Sequence, residues 1–239
     1  DELAVRCSTS VEPGREPEMP PQQCPGLREE TLDLRGLHRG IVRHTVNTMP
    51  AAIRNFEDFR EYSLWYLRDT GLDVPELLEN TYRVVLGPSR GEEIPFGDFA
   101  GRQKWRAPAE FPPGEWNGRT YDRIVAHLAD VQGDTEFGSN EQQVGLWETA
   151  PSDYDRKILM SVIKEEFRHG WQMGWTLTEV LGTEEALRSA QTLLERRSGR
   201  RGNARLLSAF NEPIDDWLGF YCFLEFMDRD GGSQLSLLQ

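Results

Sequence analysis

The fold of this chain is decided by two stretches that flank Pro151: DRIVAHLADVQGDTEFGSNEQQ (residues 122–143) and SDYDRKILMSVIKEEFRHGWQM (residues 152–173). In both, apolar residues recur at spacings of three and four, which is the period of an amphipathic α-helix. Ser152 is a favourable N-cap for the second helix, and Gly182 ends it. The sequence therefore predicts an antiparallel helix hairpin that turns at Pro151.

The middle of each apolar stripe is polar. Gln132 and Glu136 lie on the stripe of the first helix, and Glu166 and His169 lie on that of the second. Glu136 is 15 residues before Pro151 and Glu166 is 15 residues after it. At ~1.5 Å per residue, both glutamates are about 22 Å from the turn. Their side chains are therefore predicted to meet at one height inside a helical bundle.

A third helix is predicted after Pro213, with Asp228 on its inward face. Residues 182–213 are taken as the connection from the far end of the second helix. From Glu166 the second helix runs 15 residues to its end, and the third helix then runs 14 residues back to Asp228. This aspartate is therefore predicted to lie in the same layer. Aromatic residues on its other faces predict that the third helix is buried all round.

Three carboxylates and an imidazole in one apolar layer indicate a metal site. Bare carboxylates that share a desolvated site repel one another and take up protons, and a multivalent cation removes that repulsion. Oxygen and nitrogen donors suit iron or manganese, and Glu-x-x-His helices build dinuclear sites in bundles. The predicted ligands are Glu136, Glu166, His169 and Asp228. The alternative is a hydrogen-bonded polar layer without metal, because composition alone gives a Glu-x-x-His roughly one time in three.

A dinuclear site of this type needs a second Glu-x-x-His, and the 239 residues contain none. Three explanations stay open at this point. The chain is truncated at its C-terminus, the site is degenerate, or another subunit supplies the missing ligands.

The remaining sequence divides into a tail and an N-terminal region. Residues 1–28 are rich in proline and poor in large apolar residues, which predicts a disordered tail. Residues 29–118 are predicted to hold N-terminal helices and an irregular covering segment, and residues 119–239 to hold the three bundle helices. In the second region, helices are expected from an N-cap at Thr48 to Gly71 and over PELLENTYRVVLG, and irregular chain from Pro88.

Composition narrows the class of protein. Forty acidic against 27 basic residues give a net charge of −13, which disfavours nucleic acid and anionic membrane surfaces as partners. No apolar run reaches the ~20 residues that span a bilayer. Three cysteines without a CxxC pair indicate a reducing compartment, and we expect a cytoplasmic protein.

Several segments together resemble the oxygenase components of benzoyl-CoA 2,3-epoxidase, dinuclear iron enzymes related to the catalytic subunit of phenylacetyl-CoA epoxidase. The resemblance is specific from about Ile94 to Gln239. It is carried by VQGDTEFGSNEQQ, TAPSDYDRKILMSVIKEEFRHGWQM, LLERRSG, AFNE and DWLGFYCFLEFMDRDGGSQL.

This resemblance implies an all-α, ferritin-like bundle with a fourth metal-binding helix, which is expected beyond Asp228 and outside this chain. It implies two iron ions held in part by Glu136, Glu166, His169 and Asp228, with Gln132 near the metals. Dioxygen and external electrons would epoxidise the ring of an aromatic acyl-CoA, with benzoyl-CoA the first choice and phenylacetyl-CoA the alternative. The fragment alone is expected to be inactive.

The resemblance also implies a partner protein that supplies electrons and a binding site for the CoA part of the substrate. Electrons would come from a separate NAD(P)H-dependent reductase, because the chain has neither a GxGxxG fingerprint nor a cysteine cluster for an iron–sulfur centre. An Arg-rich stretch offers Arg196, Arg197, Arg200 and Arg201 to the phosphates of CoA. A solvated loop or internal ion pairs with the acids of the DRD sequence are the plainer interpretation. Rival functions are a ferritin-type iron oxidase and a non-catalytic bundle paralogue.

Overall fold

A computed structural model describes residues 51–86, 91–102, 108–116 and 118–226. Seven α-helices fall within these ranges, and they confirm the all-α class. They are α1 (Phe56–Thr70), α2 (Pro75–Tyr82), α3 (Phe96–Gly101), α4 (Tyr121–Gln143), α5 (Asp153–Trp175), α6 (Glu184–Glu195) and α7 (Trp217–Phe226). The strands are short: β1 (Arg83–Val85), β2 (Glu93–Pro95), β3 (Glu115–Trp116) and β4 (Arg119–Thr120). They form two antiparallel pairs, β1 with β2 and β3 with β4.

The helix hairpin at Pro151 is confirmed. α4 continues into a 3-10 helix (Val144–Thr149), and α5 begins after Ser152, whose Oγ accepts from the backbone N–H of Asp155 at 3.2 Å. At its other end α5 continues into a π-helical segment (Thr176–Leu181) and stops at Gly182, which has φ 59°. A positive φ favours glycine, so the predicted cap at Gly182 has a physical basis.

The predicted start of the first helix is wrong, although its end at Gly71 is confirmed. Residues 51–55 are not helical, and α1 begins only after Asn55. The Asn55 Oδ1 accepts from the backbone N–H of Asp58 at 2.9 Å, which makes Asn55 the N-cap. The predicted cap at Thr48 lies outside the described residues, as does the tail of residues 1–28.

The second predicted helix is too long. α2 ends at Tyr82, and the following Arg-Val-Val forms β1, which pairs with β2 in the register Val84 to Ile94. Two β-branched valines favour a strand over a helix, and Val84 is buried while its neighbours are exposed. The segment after Pro88, for which the sequence predicts irregular chain, contains β2 and α3.

The connection predicted over residues 182–213 contains a helix that the sequence analysis missed. In α6 the Oγ1 of the N-cap Thr183 accepts from the Ala186 N–H at 3.2 Å. Its buried face is formed by alanines and leucines at helical spacing: Ala186, Ala190, Leu193 and Leu194.

The predicted course of the third helix is also wrong. α7 begins at the Pro151 end of the hairpin, where the Tyr221 hydroxyl donates to Asp155 Oδ1 at 2.6 Å and the Gln142 amide donates to the Glu212 carbonyl oxygen. The reason is α6, because this helix and the chain after it return along the hairpin before α7 starts. Nor is α7 buried all round: Leu218 is 73 % exposed.

The core is a cluster of aromatic rings between α1, α4 and α5. Phe59, Tyr66, Phe137 and Phe167 are all fully buried. The ring centroids of Tyr66 and Phe137 are 5.1 Å apart, and those of Phe137 and Phe167 are 5.7 Å apart, both edge-on. This packing fixes α4 against α5 over the length of the hairpin. No helix among the described residues is long and apolar enough to cross a lipid bilayer.

Replacing Gly174 with alanine is expected to lower the free energy of unfolding by about 1–3 kcal/mol. An added Cβ would overlap the ring of Phe59 at Cζ, and this ring is fully buried. Gly145→Ala is the matched control, since its Cβ would meet no atom within 4 Å. Urea denaturation measures both variants, and equal losses of stability would contradict this packing.

Candidate metal centre

The structure brings Glu136 of α4 together with Glu166 and His169 of α5. One potential ligand atom from each residue lies within 4.8 Å of the other two. Within the part of the chain that the structure describes, this is the one group of three such residues. Glu136 and Glu166 are each 5 % exposed, and the His169 side chain is 27 % exposed. Glu136 and Glu166, which are equally far from Pro151 in sequence, therefore lie close together as predicted.

Each carboxylate oxygen of Glu136 faces a different neighbour. Gln132 Nε2 donates to Glu136 Oε1 at 2.9 Å from one turn earlier on α4. Glu136 Oε2 lies 3.6 Å from His169 Nδ1. On the other edge of the imidazole, His169 Nε2 lies 3.9 Å from Glu165 Oε1. The side chain of Gln132 thus orients the carboxylate, and the imidazole sits between two glutamates.

The donor set fits a metal ion. Two carboxylates that are almost fully buried and close together repel each other unless a cation or a proton lies between them. Carboxylate oxygen and imidazole nitrogen are ligands that iron and manganese accept, whereas structural zinc sites usually contain thiolates. Glu136, Glu166 and His169 can therefore contribute three ligands from two helices that the buried core holds in place.

The polar stripe of α4 continues beyond the cluster toward the hairpin turn. Gln143 Nε2 donates to Ser139 Oγ at 2.5 Å, and Asn140 Nδ2 donates to the Glu136 carbonyl oxygen at 3.0 Å. All of these residues are buried. Hydrogen bonds along the helix thus stabilise a buried polar surface next to the carboxylates.

Asp228 lies outside the described residues, so its place in the metal centre stays a prediction. The nearest described contacts along the chain are those of Phe223, whose ring packs edge-on against Phe210, and of Leu224, which packs against the core.

Two of the four predicted CoA-binding arginines are held in ion pairs within the protein. Arg196 Nη1 lies 2.9 Å from Asp130 Oδ1, and its side chain is 13 % exposed. Arg197 Nε donates to Asp69 Oδ2 at 2.9 Å. The guanidinium of Arg197 also lies over the rings of two aromatic residues of α1, Trp65 and Tyr66. Arg200 and Arg201 are exposed.

Behind the metal-facing side of α4 lies a buried charge network that the sequence analysis missed. Arg205 has a fully buried side chain, and it pairs with Asp134 at 3.1 Å and with Glu141. The Tyr66 hydroxyl donates to Glu141 Oε1 at 3.0 Å. Burial, followed by the charge of Glu141, raises the pKa of Tyr66 well above its ordinary value. The spacing of Asp130, Asp134 and Glu141 on one face of α4 was the available signal for this network.

The same two carboxylates anchor the chain that follows α6. The backbone N–H of Leu206 donates to Asp134 Oδ2 and that of Ser198 donates to Glu141 Oε2, both at 2.6 Å. The Arg-rich stretch therefore packs on the back of the helix that presents Glu136.

Comparison with known proteins adds one relative. No protein-family model matches the chain. It is 43 % identical over 156 residues, or 65 % of its length, to benzoyl-CoA oxygenase component B of Aromatoleum evansii. The chain spans 31 % of the length of that protein. This similarity confirms the resemblance to benzoyl-CoA oxygenase components that the sequence segments predicted.

Proposed function

We propose that this chain belongs to the oxygenase component of a dinuclear iron epoxidase that acts on an aromatic acyl-CoA. The substrate we infer is benzoyl-CoA, converted to 2,3-epoxybenzoyl-CoA, with phenylacetyl-CoA as the alternative within the class. The single observation that carries this proposal is the convergence of Glu136, Glu166 and His169 in a buried layer between α4 and α5. The name of the relative supports the choice of an oxygenase and of its substrate.

The bound group would be a pair of iron ions in a ferritin-like bundle. Glu136, Glu166 and His169 would hold it, together with Asp228 and ligands outside this chain. When bound, a dinuclear iron centre supplies the reduction of dioxygen and the transfer of an oxygen atom to the aromatic ring. The protein contributes orientation, since Gln132 holds one oxygen of Glu136 toward itself and leaves the other facing His169.

The protein would also keep water from the core side of the site. Phe137 of α4 and Phe167 of α5 each follow a proposed glutamate ligand in sequence, and both are fully buried. Their rings, 5.7 Å apart, fill the space between the helices on the core side of the carboxylates. A dry surrounding strengthens every electrostatic interaction at the site and limits loss of reactive species to solvent.

Electron supply requires a partner in this proposal. The relative is called component B, which indicates a system of several components. The chain has no fingerprint for a nucleotide cofactor, so we infer a separate NAD(P)H-dependent reductase. For CoA itself, Arg200 and Arg201 are the two predicted phosphate-binding arginines that remain exposed.

Turnover of the protein in its natural full length tests the proposal. With dioxygen, a reductase and NADPH, benzoyl-CoA is expected to yield an epoxide that carries one ¹⁸O atom from ¹⁸O₂. Faster turnover of phenylacetyl-CoA would change the substrate but keep the reaction. Iron oxidation that ignores acyl-CoA would indicate a ferritin-type iron oxidase, and failure to bind iron would indicate a non-catalytic paralogue. Either of these results would overturn the proposal.

A further inference from the structure

A second candidate site lies on the outer side of α5, turned away from the core. A pocket of about 170 Å³ opens there between α5 on one side and α2 with β1 on the other. Its charged lining consists of Arg83 from β1 and of Lys164, Glu165 and Arg168 from α5, and Ser161 adds a hydroxyl. A water molecule occupies ~30 Å³ in the liquid, so the pocket has room for one tetrahedral anion with some water.

The charge of this lining is opposite to that of the chain. The lining has three cations and one carboxylate, although the whole sequence carries a net charge of −13. Lys164 and Arg168 are four residues apart, so they lie side by side on α5. Like charges at this spacing destabilise a helix. An anion bound between them would remove that repulsion.

The cations of the pocket are only loosely paired. Arg168 Nη2 lies 3.4 Å from Glu165 Oε1, and Arg83 Nη1 lies 3.7 Å from Glu93 Oε2. Lys164 has no ion pair within the described ranges. These separations are longer than those of the structural pairs of Arg196 and Arg197, at 2.9 and 2.7 Å. Loosely paired guanidinium groups can exchange their partner for a ligand at low cost.

We propose that this pocket binds a phosphate monoester group, and that its source is the 3′-phosphate of CoA. Arg83 and Arg168 provide the fork geometry that matches phosphate oxygens, Lys164 adds a point charge, and the Ser161 hydroxyl can donate a further hydrogen bond. A phosphate dianion is the ligand that uses all four groups.

The position of the pocket agrees with a long substrate whose two ends occupy different faces of one helix. Lys164 and Arg168 flank the proposed ligand Glu166 in sequence but lie on the outer face of α5. A helix with its side chains is about 10–12 Å across. The extended pantetheine arm of CoA can span that distance. The assignment to CoA rests on the proposed function, whereas phosphate binding at the pocket does not.

Calorimetric titration of the protein with inorganic phosphate tests the site without any turnover. The double variant Lys164→Ala/Arg168→Ala is expected to bind phosphate at least about tenfold more weakly, because two charge-assisted hydrogen bonds are lost. Arg168→Lys keeps the charge and should recover part of the affinity. Arg123→Ala/Arg188→Ala removes two cations that lie elsewhere and are more exposed, and it should stay within about twofold of wild type. Equal affinity in the pocket variant, or an equal loss in this control, would overturn the site.

CoA and dephospho-CoA, titrated in the same way, identify the source of the phosphate. Wild type is expected to prefer CoA, and Lys164→Ala/Arg168→Ala should remove that preference. Equal binding of the two nucleotides by wild type would assign the pocket to free phosphate and overturn the CoA assignment. A loss of CoA preference in Arg200→Ala/Arg201→Ala, but not in the pocket variant, would place the binding site for the CoA phosphate in the Arg-rich loop. Because these readouts need neither iron nor dioxygen, they stand apart from any failure of the proposed oxygenase reaction.

Discussion

Replacing Arg205 with methionine is expected to lower the free energy of unfolding by about 3–5 kcal/mol, the usual cost of breaking a buried ion pair. The Arg205 side chain is fully buried and is held by Asp134 and Glu141. Burial alone lowers the pKa of Arg205, but its neighbours, led by Tyr66 and Glu141, raise that pKa above the ordinary value. Methionine would therefore leave Glu141 buried without its cation, and Asp134 would keep only its longer ion pair with Arg196, at 3.3 Å.

Urea denaturation followed by circular dichroism measures this loss. Arg201→Met is the matched control, because Arg201 is exposed in the same stretch and its replacement should change stability by no more than about 0.5 kcal/mol. A loss below about 1 kcal/mol for Arg205→Met would contradict the role of the charge network. The triple variant that also carries Asp134→Asn and Glu141→Gln should recover part of the stability, since it removes the buried charges that Arg205 no longer neutralises.

Replacing Glu166 with glutamine is expected to weaken iron binding by at least about 100-fold. Mutation of residues that only hydrogen-bond to a metal ligand already lowers metal affinity by about 10–100-fold, and Glu166 is a proposed ligand itself. Glutamine keeps the size of the side chain and removes its charge. The same change should stabilise the metal-free protein, because it relieves the repulsion between the buried carboxylates of Glu136 and Glu166. Iron should then raise the melting temperature of wild type but not of the variant.

The stability change caused by Glu166→Gln and the stability change caused by iron therefore distinguish a metal site from a polar layer. If Glu136 and Glu166 only share hydrogen bonds, Glu166→Gln has no repulsion to relieve, and iron changes the stability of neither protein. Glu185→Gln serves as the control, because Glu185 lies on α6, is exposed, and pairs with Arg123 of α4. Competition with a chelator gives the iron affinities, and differential scanning fluorimetry gives the melting temperatures.

The hairpin and the three converging residues could be predicted because they depend on local rules. Helical periodicity, a serine N-cap and a terminal glycine define α4 and α5, and equal arm lengths bring Glu136 level with Glu166. Those rules hold here because aromatic residues such as Phe137 pack the two helices together along their length. The all-α class follows from the same patterns.

The remaining errors come from contacts that a single sequence does not display. α6 was missed because half of its buried face is alanine, which gives a weak periodic signal. That helix returns the chain toward Pro151, and so the predicted starting point of α7 was wrong. The extended Arg-Val-Val of β1 depends on its pairing with β2, which lies ten residues further along the chain. Arg196, Arg197 and Arg205 looked alike in sequence, and only the acids of α1 and α4 distinguish them from Arg200 and Arg201.

The most direct test of this account is the iron content of the protein after anaerobic loading with ferrous ion and gel filtration. We predict at least about one iron ion per chain, held by the two carboxylates and the imidazole of the site. Mössbauer spectra of the ⁵⁷Fe-loaded protein should show high-spin ferrous iron with oxygen and nitrogen ligands. Substantially less than one iron per chain, or equal iron content in Glu166→Gln, would contradict a metal centre at Glu136, Glu166 and His169.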